Sequence, residues 1–142
     1  MLSSIYPIIP ASHNQTRKVR FRLSIEALLE ELVSSVRGAT GAIVVALDGE
    51  AVHCGPSGHS ERLRLRGAYA AVAMQAFRAA AARSGLGSLR HLVVGYNGAT
   101  LVAQVIDDDC SVVLELEPNA SVGPAVYQTR KAAKRLCDAL AA

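Results

Sequence analysis

The sequence predicts an α+β domain of three layers, with helices on both sides of a five-stranded antiparallel sheet in the order 2-1-5-4-3. Three observations lead there. Glu61 to Ser84 reads as one long helix, apolar on two opposite faces. Five short apolar runs are rich in Val, Ile and Leu, and Asp48-Gly49 and Asn97-Gly98 each fold two of them into a hairpin. Two further amphipathic stretches, one before the first run and one after the last, complete the order α-β-β-α-β-β-β-α.

Residues 1–22 carry Pro7, Pro10 and the run RKVRFR, and read as a flexible basic arm ahead of a domain over 23–142. Ser24 then caps an amphipathic helix whose Ile25, Leu28, Leu29, Leu32, Val33 and Val36 repeat with helical spacing. Gly38 and Gly41 stop it. AIVVAL (42–47) is continuous and β-branched, as a strand buried on both faces is. Asp48-Gly49 predicts a type I′ turn into a short edge strand over 51–54, and GPSGH is loop.

Ser60 caps the long helix, Glu61 suits its first turn, and Gly85 ends it. Its 24 residues make it about 36 Å long. One seam runs through Leu63, Gly67, Ala70, Met74, Phe77 and Ala81, the other through Leu65, Tyr69, Val72, Ala76 and Ala79. A helix lying on its own domain keeps one wet side, so this one asks for a covering on both. Gly67 costs ~1 kcal/mol against Ala in a helix interior, and small residues there let another backbone come close. In a chain of 142 residues the second covering is expected to be another chain.

LRHLVVGY (89–96), ATLVAQVI (99–106) and SVVLELE (111–117) form a meander, with an acidic turn at Asp107–Asp109. The first and fifth strands are the most continuously apolar and take the centre, which leaves the third at an edge. That edge is apolar, lacks Pro and has charge only at Arg90, so pairing it with its copy in a second chain removes a liability. Contacts within such a dimer are expected at Gly67, Ala70, Phe77, His91, Val93 and Gly95. Pro118 and Asn119 end the fifth strand. Ser121 then caps a last helix with Val122, Val126, Ala133, Cys137 and Leu140 inward.

Composition narrows the function. Half the residues are apolar, aromatics are 4% and Trp is absent, which leaves few rings for stacking on bases or flat cofactors. No apolar run approaches the ~20 residues of a membrane span, and the start makes a poor signal peptide. The net charge of +3 comes from the arm: its Arg17, Lys18, Arg20 and Arg22 leave eleven basic against twelve acidic residues, a nearly neutral body. A nucleic-acid-binding domain carries its charge on the fold. Cys54, Cys110 and Cys137 are widely spaced and odd in number, as free thiols in a reducing cytoplasm are.

Motifs for chemistry are lacking. There is no phosphate-binding GxxxxGK[ST], and GLG at 85–87 follows a helix where a dinucleotide site needs a strand. His53, Cys54 and His59 lack a fourth zinc ligand, and Asp107–Asp109 read as a solvated turn. No metal, no cofactor and no catalytic residue is assigned. A binding module is favoured over an enzyme.

From about Ser24 to Leu140 the chain resembles the Roadblock/LC7 family. The resemblance rests on LLEELVSSVRGATGAIVVALDGEAV, the Ala-rich helix, LVVGYNGATLVAQVIDDDCSVVLELEPNASVG, and a last helix with Tyr127 after Gly123. It implies the profilin-like topology and a homodimer, or a heterodimer of related chains, joined through third-strand edges and paired long helices. It also implies a regulator or scaffold of a small Ras-like GTPase, whose prokaryotic relatives bind it on the long-helix side and in some cases stimulate GTP hydrolysis. Arg62, Arg64, Arg66, Gln75 and Arg78 are contact candidates on that reading, with Ala71 and Met74 supplying buried area. Two alternatives stay open: a PAS- or GAF-like small-ligand sensor, and a nucleic-acid adaptor working through the arm. One unbroken helix and only two Phe argue against the sensor's pocket.

Overall fold

The computed structural model describes residues 25–54 and 61–141. The expected arm, the caps at Ser24 and Ser60 and the GPSGH loop lie outside the described residues. A first helix, α1, covers residues 25–35. It is followed by β1 (Ala39–Ala46), β2 (Ala51–Cys54), α2 (Glu61–Ser84), β3 (His91–Gly95), β4 (Thr100–Val105), β5 (Cys110–Leu116) and α3 (Val122–Ala141). The five strands form one sheet in the order β2-β1-β5-β4-β3, antiparallel throughout, as the strand patterns predict.

Side-chain alternation along the central strands divides the core in two. Ala42 and Val44 of β1, Val102 of β4, and Val112, Leu114 and Leu116 of β5 meet Ile25, Leu29, Leu32 and Val36 on α1's side, together with α3. Ile43, Val45, Leu101, Ala103 and Val113 point the other way, to Leu63, Ala70, Ala71 and Met74 of α2. Strands covered on both faces need apolar residues at both parities, which is why β1 and β5 read as unbroken apolar runs.

Three local expectations change. β1 starts at Ala39 rather than Ala42, because Ala39 and Gly41 find partners at Leu116 and Glu115 on β5. The turn after Leu47 is not type I′: among the described residues none but glycine has positive φ. Instead Gly49 N–H donates to Ala46 O, Ala46 N–H donates to Glu50 O, and Gly49 takes φ +88°, which is a three-residue loop closed by a left-handed glycine. In α3 the inward stripe is Ala125, Thr129, Ala133 and Leu136, one residue round from the expected one, and Val122 is exposed. The small side chains at Ala125, Thr129 and Ala133 let the helix lie close on the sheet. The buried Thr129 hydroxyl donates to Ala125 O at 2.6 Å within the helix.

Candidate docking surface on the long helix

α2 is fixed to the sheet by the smallest residues on its inner seam. A methyl group at Gly67 would come within 3.0 Å of Val45 Cγ1 and 3.1 Å of Ile43 Cγ2, and one at Gly41 within 3.0 Å of Leu63 Cδ2. The helix therefore lies directly on β1, without a chamber between them of the kind a ligand-enclosing sensor needs. Glycine at position 67 serves the home sheet and not a second chain.

That contact chooses between the two seams. Leu63, Gly67, Ala70, Ala71, Met74 and Ala81 are buried in the protein's own core. Leu65, Tyr69, Val72 and Phe77 are more than half exposed, with Val72 at 65%. This corrects the expected contact set in four places. Gly67 and Ala70 are taken up by the domain and are not free for a dimer, and Ala71 and Met74 offer no area to a partner. Phe77, expected on the same seam, is more than half exposed and belongs to the outer surface.

The arginines also separate. Glu115 on β5 is 1% exposed and points toward α2. Arg66 reaches its Oε2 at 2.6 Å and Arg62 its Oε1 at 3.1 Å, while Thr40 Oγ1 donates to Oε1 at 2.6 Å. Burial alone would raise the Glu115 pKa. The hydrogen bonds from Thr40 and Arg66 and the charges of Arg62 and Arg66 outweigh it, holding the carboxyl below its ordinary value. Arg66 is thus committed to the fold, which removes it as a simple surface contact. Arg64 and Gln75 are exposed and Arg78 is half-buried, so these three of the expected contacts remain on the surface. Gln75 makes a 3.4 Å contact to Leu47 O, and Arg78 lines a cleft with Asp108.

Sequence reading missed Glu115. Its signal was an acid set between two leucines inside the run SVVLELE, with two arginines four residues apart on one face of a helix.

Beside the first two turns of α2 an apolar groove of about 500 Å³ opens over the turn between β3 and β4 and the start of β4. Leu65, Tyr69, Tyr96 and Leu101 line it, Gly98 and Ala99 leave it wide, and Arg62 and Arg66 stand at its end. Next to this turn lies β3, whose only partner among the described strands is β4. His91, Val93 and Gly95 lie along this edge; Gly95 is exposed, and a methyl group there would meet nothing within 4 Å.

The opposite end of the sheet is acidic. Leu47 N–H donates to Asp109 O, which brings the turn at Asp48 beside the turn at Asp107–Asp109. Burial first, and then Asp107 and Asp109, push the Cys110 thiol up, so it is a poor nucleophile. His53 and Cys54 follow one another on β2 and face opposite sides. Among the described residues no three His, Cys, Asp or Glu side chains are grouped to hold a metal ion, and no helix is long and apolar enough to cross a membrane.

No family model and no curated protein matches the sequence. Solved structures do match the fold. The Roadblock/LC7 domain from Streptomyces avermitilis superposes with a TM-score of 0.75 at 19% identity, over 82% of this chain and 98% of that one. The gliding protein MglB from Thermus thermophilus gives 0.73 at 17% identity, over 84% and 90%. Profilin IB from Acanthamoeba castellanii gives 0.57 at 16% identity, over 81% and 98%. With a 2-1-5-4-3 antiparallel sheet, a long helix on one face and two shorter helices on the other, this chain has the Roadblock/LC7 fold, the profilin-like architecture its sequence resembles.

Proposed function

We propose that the protein is a homodimeric regulator or scaffold for a small Ras-like GTPase, working in the cytoplasm without an active site of its own. The observation that carries this reading is the outer face of α2. Leu65, Tyr69, Val72 and Phe77 form an apolar stripe along a single helix, with Tyr96 beside it, on a fold whose core is already closed. Contiguous apolar surface of this kind marks an interaction site.

The stripe supports two partners at once because it has two flanks. Tyr69 lines the groove beside the β3–β4 turn, on the side where a second copy would extend the sheet, and Phe77 is exposed two turns further along the helix. Val72 and Ala76 are exposed on the outer side of the helix, where they remain available in a dimer. Arg64 and Arg83 border this crest and are exposed. The helix carries five Arg against one Glu. The family resemblance supplies the GTPase, and this positive helix suits an acidic surface around a nucleotide site. Its charge acts mainly on encounter rate and orientation, and salt weakens it.

The test is binding of the full chain to Ras-like GTPases of the same genome, loaded with GDP or a GTP analogue. Val72→Asp in the crest should abolish binding and leave the dimer intact. Arg64→Glu with Arg83→Glu should slow association about ten-fold at low salt, with the difference vanishing at high salt. Failure of every host GTPase to bind in either nucleotide state refutes the assignment and leaves a scaffold for other proteins as the reading.

A further inference from the structure

We infer that the groove beside the start of α2 binds a medium-chain alkyl carboxylate, with its head on Arg62 and Arg66 and its tail between Leu65, Tyr69 and Tyr96. This is a small-molecule site in addition to the protein-binding crest at Val72, and it stands whether or not that crest takes a GTPase.

The cavity exists because of what the β3–β4 turn presents to the helix. Tyr96 N–H donates to Ala99 O at 2.8 Å, which closes the turn. Ala99 and Leu101 are buried and form the floor, and Leu101 belongs to the core beneath α2. Gly98 and Ala99 have too little side chain to fill the space before Leu65 and Tyr69. Those two side chains and Tyr96 therefore stand as walls, each more than half exposed. An apolar space of about 500 Å³ with a few polar groups at one end has the size and the character of a small-molecule site.

Charge selects the occupant. At the end of the groove two guanidinium groups meet one carboxylate, so Arg62, Arg66 and Glu115 together keep one positive charge uncompensated. The Glu115 oxygens are already engaged, Oε1 by Arg62 and Thr40 and Oε2 by Arg66. Each arginine uses a single nitrogen for this, Nη2 of Arg62 and Nη1 of Arg66. Among the described residues their other N–H groups have no acceptor. Arg62 is also the more exposed of the two, and can offer its remaining edge to a ligand. A second carboxylate would accept paired N–H bonds from a guanidinium and bring the cluster to neutrality. A neutral or cationic head gains neither.

The helix sets the length of the tail. From Arg62 to Tyr69 the axis advances about 10 Å, which an extended tail of roughly eight carbons spans. Decanoate is close to this length and serves as the probe.

The test titrates the full chain with decanoate below its micelle concentration and follows backbone amide NMR signals. The dissociation constant should be about 0.1 mM or tighter, with the largest shifts at Gly98 and Ala99. Hexanoate, four methylenes shorter, should bind about ten-fold more weakly or worse. Decyltrimethylammonium keeps the tail and reverses the head, and should also lose about ten-fold or more. Gly98→Leu should fill the groove and weaken decanoate to a similar degree. The fold should accept it, since a methyl group there would meet nothing within 4 Å and Gly98 is not among the glycines with positive φ; a thermal melt checks this. Arg62→Gln should weaken the acid and leave the cation unaffected. A cation that binds as tightly as the acid, or a folded Gly98→Leu that binds like the parent, shows decanoate coating apolar surface at large and overturns the site. A parent whose Gly98 and Ala99 signals stay fixed up to about 1 mM decanoate overturns it as well, and leaves the groove to a protein partner.

Discussion

Replacing Arg66 by Met tests the buried cluster, and the structure sets the size of the effect. Glu115 has almost no contact with water and depends on three donors: Arg66 at 2.6 Å, Thr40 at 2.6 Å and Arg62 at 3.1 Å. Met keeps the length and apolar stem of the arginine and removes its charge. Breaking a fully buried ion pair by deleting one partner costs about 3–5 kcal/mol. Here Arg66 is a third exposed and Arg62 and Thr40 stay in place, which brings the expected loss to about 2–3 kcal/mol. For a chain of this length that is a fall in Tm of roughly 5–10 °C.

Urea titration at neutral pH measures the loss directly. Arg66→Met with Glu115→Leu should recover most of it, because the second change removes the stranded charge. Acid provides a second readout. The Glu115 pKa is lowered on folding, so its contribution is complete above the ordinary carboxylate range and is lost as pH falls through the folded value below that range. The double variant should therefore show a shallower acid limb than the parent. An Arg66→Met chain within about 0.5 kcal/mol of the parent would refute the cluster's role and return Arg66 to the set of surface contacts.

Other parts of the molecule give three shorter predictions. Gly38→Ala should destabilise by about 2 kcal/mol or more in the same titration, since the glycine has φ +86° and an added methyl would fall 2.6 Å from Ala120 Cβ. Gly95→Pro should weaken self-association at least ten-fold in sedimentation without lowering the Tm by more than a few degrees, because proline has no N–H to give a neighbouring strand. Removing residues 1–22 should leave the Tm unchanged within about 2 °C, as that stretch has no periodic apolar face to pack; a larger fall would show that it docks on the domain.

The sequence by itself determined the element order, the strand order and the existence of an outer apolar seam. These depend on local signals: the parity of apolar residues in AIVVAL and SVVLELE, the Asp-Gly and Asn-Gly turns, and a helix with two greasy faces. A sheet with two hairpin signals and two doubly covered strands has few ways to be assembled, so local pattern extended to topology. Tertiary structure alone decided which seam faces inward. On a helical wheel the seam of Gly67 and Met74 and the seam of Tyr69 and Val72 are equally apolar. The choice falls to shape, because only the glycine seam lets the backbone approach Ile43 and Val45. The same long-range pairing decided the arginines. Arg62, Arg64 and Arg66 look alike in sequence, and the strand that brings Glu115 beneath two of them lies some fifty residues away. Charge on a helix can be read from sequence, but whether it faces solvent or a buried carboxylate is settled by the strand it packs on.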